Sequence, residues 1–124
     1  MKTNSTSNLY GLRRSGVSHG DVFTSPRVVS FMLDLIGYVP TENLAEYRIL
    51  EPSFGEGDFL LEIQNRLIQS AKLYRFDATA VMSENVYGCE IDEVKFEKCI
   101  RLLRESMPDY SPRRLKNEDF LFSE

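Results

Sequence analysis

Arg48-Ile-Leu-Glu51 is a short apolar run that stops at Pro52, and Pro52-Ser-Phe-Gly-Glu-Gly57 leads straight into an amphipathic segment. A buried strand, a glycine turn and a helix in that order open a strand–helix–strand unit. In the helix Leu60, Ile63, Leu67 and Ala71 form one apolar face, and Glu62, Arg66 and Lys72 lie off it. Val86-Tyr-Gly-Cys-Glu90 reads as a second strand and Glu93 to about Ser106 as a further helix, with Phe96, Cys99, Ile100 and Leu103 on one side. After a loop bracketed by Pro108 and Pro112, Arg114-Leu-Lys-Asn117 reads as a weak third strand. Upstream, Ser25-Pro26 caps a helix that carries Val28, Met32, Leu35 and Ile36 on its inner face and ends near Gly37. Residues 40–46 read as a connector, and 77–85 as an ambiguous stretch with a short helical turn. Strands alternating with helices predict an α/β layer fold with a parallel sheet, whose ligand site lies beyond the C-terminal strand ends. Glu51 with its glycine loop, Glu90 and Asp119 stand at those ends.

With 124 residues the chain suffices for one domain, and 42% hydrophobic with 27% charged residues is the composition of an ordinary globular one. No stretch approaches the roughly 18 apolar residues of a membrane span, and the N-terminus lacks the apolar stretch of a secretory signal, so the expected address is cytoplasmic. Cys89 and Cys99 then read as free thiols with no metal role. Residues 1–22 are rich in Ser, Asn, Gly and Arg without apolar periodicity, and read as an irregular arm that orders against a partner surface. Residues 25–124 carry twelve basic and eighteen acidic side chains, a balance that disfavours gripping a phosphate backbone. Any contact with DNA is expected through regions outside this chain. His19, the single histidine, has no Ser or acid constellation around it, Arg13 and Arg14 read as a solvated basic pair, and Arg113 and Arg114 as loop-capping residues.

Gly55 and Gly57 allow a tight turn and a close approach to the backbone, and the following helix offers free amides. A dinucleotide-binding fingerprint would need a third glycine where Leu60 stands, and no Gly-Lys-Ser/Thr of a phosphate-binding loop follows. An acid closing the second strand, Glu90, suits a nucleoside instead, because one carboxylate accepts from both ribose hydroxyls.

Four segments then resemble, in order, the motifs of S-adenosylmethionine-dependent DNA methyltransferases, in particular the adenine-N6 class of restriction-modification systems. They are Gly20-Asp-Val-Phe-Thr-Ser-Pro26, Ile49-Leu-Glu-Pro-Ser-Phe-Gly-Glu-Gly-Asp-Phe-Leu60, Val86-Tyr-Gly-Cys-Glu-Ile-Asp92 and Lys116-Asn-Glu-Asp-Phe-Leu121. The resemblance implies an incomplete Rossmann-like class I methyltransferase fold: its first three strands with their helices, over residues 23–124, forming the half that binds S-adenosyl-L-methionine. It implies that Thr24 touches the methionine part of the cofactor, and that Glu51, Pro52 and the backbone at Gly55 and Gly57 hold its amino-acid end and sulfonium side. By the same resemblance Glu90 takes the ribose hydroxyls, Ile91 lies against the adenine face, Asp119 accepts from the adenine amino group and Phe120 packs on the ring. The charges agree with a cofactor that bears a sulfonium cation and no phosphates.

Phe54 departs from the pattern, standing where the family commonly has a small residue or Cys. The larger departure is that no Asn-Pro-Pro-Tyr or Asp-Pro-Pro-Tyr occurs in the sequence. In the family that motif binds the target amino group of a base flipped from the duplex, so the resemblance implies a chain that holds the cofactor but does not methylate alone and lacks catalytic and target-recognition residues. The family's first strand is central, and here it is expected at an edge, inviting a homodimer or a complementing chain. The alternatives are a methyltransferase segment for RNA, protein or a small molecule, and a non-catalytic remnant serving as an assembly module.

Overall fold

The structure is a computed structural model that describes residues 25–122; the arm, His19 and Thr24 lie outside the described residues. Helix α1 (Pro26–Leu35) begins as expected, with the Ser25 hydroxyl accepting from the Val28 amide at 3.3 Å and Pro26 in the first turn. Gly37 leaves the helix at φ +81°. Strand β1 (Ile49–Glu51) feeds the glycine loop and α2 (Asp58–Tyr74). The stretch left ambiguous by its sequence is a two-turn helix, α3 (Ala78–Asn85), capped by Asp77 onto the Ala80 amide. Strand β2 (Val86–Cys89), α4 (Glu93–Ser106) and β3 (Leu115–Lys116) complete the order, β3 being two residues shorter than the sequence suggested.

The three strands form a parallel sheet in the order β1-β2-β3, with Glu51 beside Gly88 and Gly88 beside Leu115. Helices flank it, as in an incomplete Rossmann-like class I methyltransferase fold. Because side chains alternate along a strand, Ile49, Glu51, Val86, Gly88 and Leu115 face the core, where Leu60, Ile63 and Leu67 of α2 and Leu103 of α4 are buried. Leu50, Tyr87 and Lys116 point the other way and help to line a cavity of about 440 Å³ together with Arg114 and Phe120. β1 is an edge strand of the described sheet. Among the described residues no helix is long and apolar enough to cross a membrane.

Three expectations are corrected. Arg66, expected off the apolar face of α2, is only 5% exposed. Its guanidinium is served by Glu62 Oε2 at 2.9 Å, Asp34 Oδ1 at 2.7 Å, the Tyr38 carbonyl at 3.1 Å and the Ser30 hydroxyl at 2.8 Å, so the charge is buried already paired. The same contacts turn α1. Its fully buried residues are Val29 and Leu33; of the expected stripe Met32 and Ile36 pack half-buried against the core while Leu35 is 69% exposed, because Arg66 pins the side that carries Ser30 and Asp34 against α2. Arg113 and Arg114 do not cap a loop by their sequence position; both pair with Glu84 of α3, and the Arg114 guanidinium lies 5.3 Å from the centre of the Tyr87 ring.

Candidate cofactor site

At the C-terminal edge of the sheet the glycine loop is tied to β2 by its own backbone. The Phe54 amide donates to the Cys89 carbonyl at 3.0 Å and the Gly57 amide to the Phe54 carbonyl at 2.9 Å. Phe54 is buried, its ring 5.8 Å from that of Phe96 and laid over Gly88, where a Cβ would come within 2.8 Å of the ring. The bulk at position 54 is therefore accommodated by the missing side chain at 88. Gly57 caps α2 at φ +107°, where a Cβ would stand 2.8 Å from the Cys99 sulfur. Gly55, at φ +58°, faces open space. Glu56, at the tip of the loop, pairs with Lys98 of α4 at 2.7 Å.

Glu51 and Glu90 end the two neighbouring strands, and their environments differ. Glu90 is 6% exposed and accepts from the Gly55 amide on Oε1 at 2.7 Å and from the Asp92 amide on Oε2 at 2.9 Å. Each of its oxygens keeps a second acceptor direction. Glu51 is fully buried; its Oε1 accepts from the Ser53 amide at 3.1 Å, while its Oε2 is buried with no partner. Burial pushes the Glu51 carboxyl up from 4.5 to about 8, with the Glu90 charge adding to the rise and the Ser53 amide opposing it. Both cysteines are buried, and burial pushes the neighbouring Cys99 thiol up to about 12, aided by the charges of Glu90 and Asp58, so Cys99 is a neutral packing residue.

The structure thus brings together Glu51, the buried Pro52, Gly55, Gly57 and Glu90. Ile91 follows at 67% exposure, an apolar side chain held out beside Glu90. Asp119 uses Oδ1 to accept from the Leu121 amide in a short turn over Phe120–Phe122, and Phe120 lines the 440 Å³ cavity with Leu50 and Tyr87, a place apart from the Glu90 carboxylate, which the Gly55 and Asp92 amides hold. Sequence reasoning missed Asn117, whose side-chain amide donates to the carbonyls of Glu90 at 2.8 Å and Ile91 at 3.1 Å and so locks the end of β3 to the end of β2. The signal for it is an Asn directly after a strand that ends beside the acid closing β2.

The residues fit S-adenosylmethionine where the fit can be tested on side chains. An orphaned acidic oxygen suits a ligand with cationic groups, Glu90 keeps acceptor capacity for hydroxyls, and Gly55 leaves open the space a side chain would fill. Among the described residues no cluster of metal-ligating side chains occurs.

No family model matches the chain. It is 48% identical over 64 residues to the type II methyltransferase M.PaeR7I of Pseudomonas aeruginosa, which is 52% of this chain and 11% of that protein. It is 47% identical over 60 residues to the type II methyltransferase M.XhoI of Xanthomonas vasicola, 48% of this chain and 11% of that protein. The chain thus spans about a tenth of the length of the curated relatives it matches. In three dimensions it superposes on a crystal structure described as a modification subunit of a type I restriction enzyme from Vibrio vulnificus YJ016, with a TM-score of 0.62 and 23% identity, over 94% of this chain and 22% of that one. Over about half its length the chain is homologous to methyltransferases, and over nearly all of it it shares the fold of a restriction-enzyme modification subunit.

Proposed function

We propose that residues 23–124 are the S-adenosylmethionine-binding half of a DNA methyltransferase of the adenine-N6 class, acting in a restriction-modification system. The observation that carries this reading is the pair of acids at adjacent strand ends, one of them bonded by the Gly55 amide of the glycine loop, and the similarity to methyltransferases over about half of the chain supports it. In this reading Glu51, Pro52, Gly55 and Gly57, with Thr24, hold the methionine end of the cofactor. Glu90 accepts from the ribose hydroxyls, Ile91 covers one adenine face, and Asp119 and Phe120 complete the adenine site. Bound there, S-adenosylmethionine supplies an electrophilic methyl group on a sulfonium. The acids balance that cation and the loop orients it. Target recognition and the base-binding tetrad belong to regions outside this chain, and β1 offers its edge to the chain segment or partner subunit that supplies them.

Calorimetric titration of the chain with S-adenosylmethionine and, separately, with NAD tests the reading. Wild type is expected to bind the former alone, and Glu90→Ala to lose about 1–3 kcal/mol of affinity, the worth of a charged hydrogen-bond partner. Equal affinity in wild type and variant would remove Glu90 from the site. A folded chain that binds neither ligand would favour a remnant that serves assembly.

A further inference from the structure

We propose that Glu51 is a proton-for-cation exchange site: in the unliganded chain its Oε2 holds a proton, and the α-ammonium group of an incoming amino-acid ligand takes that proton's place. The inference rests on the cofactor reading and adds to it the protonation state of the site and the cost of filling it.

The geometry separates the two acids at the sheet edge. Both oxygens of Glu90 accept from backbone amides, those of Gly55 and Asp92. Glu51 receives one amide, on Oε1, and its Oε2 is sealed from solvent with no partner. Among the described residues no Lys or Arg forms an ion pair with either acid. Where the described residues bring no cation to two buried carboxyls at adjacent strand ends, the one with the unserved oxygen is the one that keeps a proton. Among the described residues the other ionisable groups of the surrounding elements do not supply the missing charge. Asp58, at the first turn of α2, is a further acid; Cys99, on α4 against Gly57, is neutral; Lys98 is committed to Glu56. The rise of the Glu51 carboxyl to about 8 agrees with this arrangement.

A cationic nitrogen brought to Oε2 supplies both the charge and the donors that the site lacks, and the proton then leaves to solvent. Because Glu51 is fully buried, the exchange also requires local opening of the neighbouring backbone. The ligand's ammonium group is fully protonated at about pH 6.5, so binding there is expected to release close to one proton, and progressively less as the pH rises through the folded value of Glu51 near 8.

The test is calorimetry with S-adenosylmethionine and S-adenosylhomocysteine, each in buffers of different ionisation enthalpy, on wild type and Glu51→Gln. Both ligands carry the ammonium group, so both are expected to release the proton from wild type at about pH 6.5, and Glu51→Gln is expected to release none. Release with S-adenosylmethionine alone would overturn the assignment to the ammonium group in favour of the sulfonium. Binding without proton release would overturn the exchange and leave the cofactor reading standing, whereas no binding of either ligand would overturn both. Carbon-13 NMR titration of the Glu51 carboxyl in the unliganded chain is an independent check. A midpoint near 8 supports the proposal, and a midpoint below about 5.5, within a unit or so of the ordinary range, overturns it whatever the ligand does.

Discussion

Arg66 and Glu51 are both buried ionisable residues, one at the α1–α2 contact and one at the end of the sheet, and they are treated in opposite ways. Arg66 reaches two carboxylates, a hydroxyl and two backbone carbonyls, so its burial is compensated on every side. Glu51 reaches one amide and leaves an oxygen without a partner. A buried charge served by its own fold holds the fold together, while a buried acid left unserved raises the energy of the folded state unless a proton or a ligand completes it. The first belongs to stability and the second to a site.

Breaking the Arg66 side has the largest expected effect. Arg66→Ala strips donors from the Tyr38 and Ser30 carbonyls, parts α1 from α2 and is expected to cost about 3 kcal/mol in urea denaturation; the partial exposure of Asp34 and Glu62 keeps the loss below that of a fully buried pair. Arg66→Lys keeps the charge but not the planar fork and is expected to recover less than half of it. A loss under about 0.5 kcal/mol for Arg66→Ala would place this residue among ordinary surface pairs.

The glycine loop sharpens the comparison from the other end of the sheet. Gly57→Ala meets two obstacles at once, a φ of +107° and a contact of 2.8 Å with the Cys99 sulfur, and is expected to destabilise by about 2–3 kcal/mol. Gly55→Ala meets open space at φ +58°, so only the left-handed backbone opposes it, at about 1 kcal/mol. Thermal denaturation of the two variants side by side separates a glycine required by packing from one required by conformation; equal losses would show that the Cys99 contact relaxes freely.

Much of this was legible in the sequence, and the exceptions share a cause. The strand–loop–helix order, the cap at Ser25 and the acids at the strand ends are local patterns, and the structure keeps them. The inner face of α1 was not legible, because seven apolar residues among positions 28–36 support more than one helical stripe and only a contact from a residue thirty positions away selects between them. Arg66 misled for the same reason: its charge predicts exposure unless its partners are known. Asn117 and the pairing of Arg113 and Arg114 with Glu84 also depend on partners distant in sequence. Glu51 was picked out by position, but its difference from Glu90 lies in which backbone amides the folded loop delivers, and no spacing encodes that.

The pH dependence of stability tests that difference without any ligand. The Glu51 carboxyl titrates near 8 in the folded chain against 4.5 for an ordinary glutamate, so between those values the folded state binds the more protons. The stabilisation this provides is fully present below about 4.5, declines as pH rises, and is exhausted once pH passes the folded value near 8. Glu51→Gln keeps the shape and an uncharged group and removes this slope. Urea denaturation at about pH 6 and pH 8 is therefore expected to show the variant gaining on wild type by about 2 kcal/mol over the interval, other groups cancelling in the difference. Parallel curves for the two proteins would mean that Glu51 is already ionised when folded, and that the unserved oxygen at the end of β1 is compensated after all.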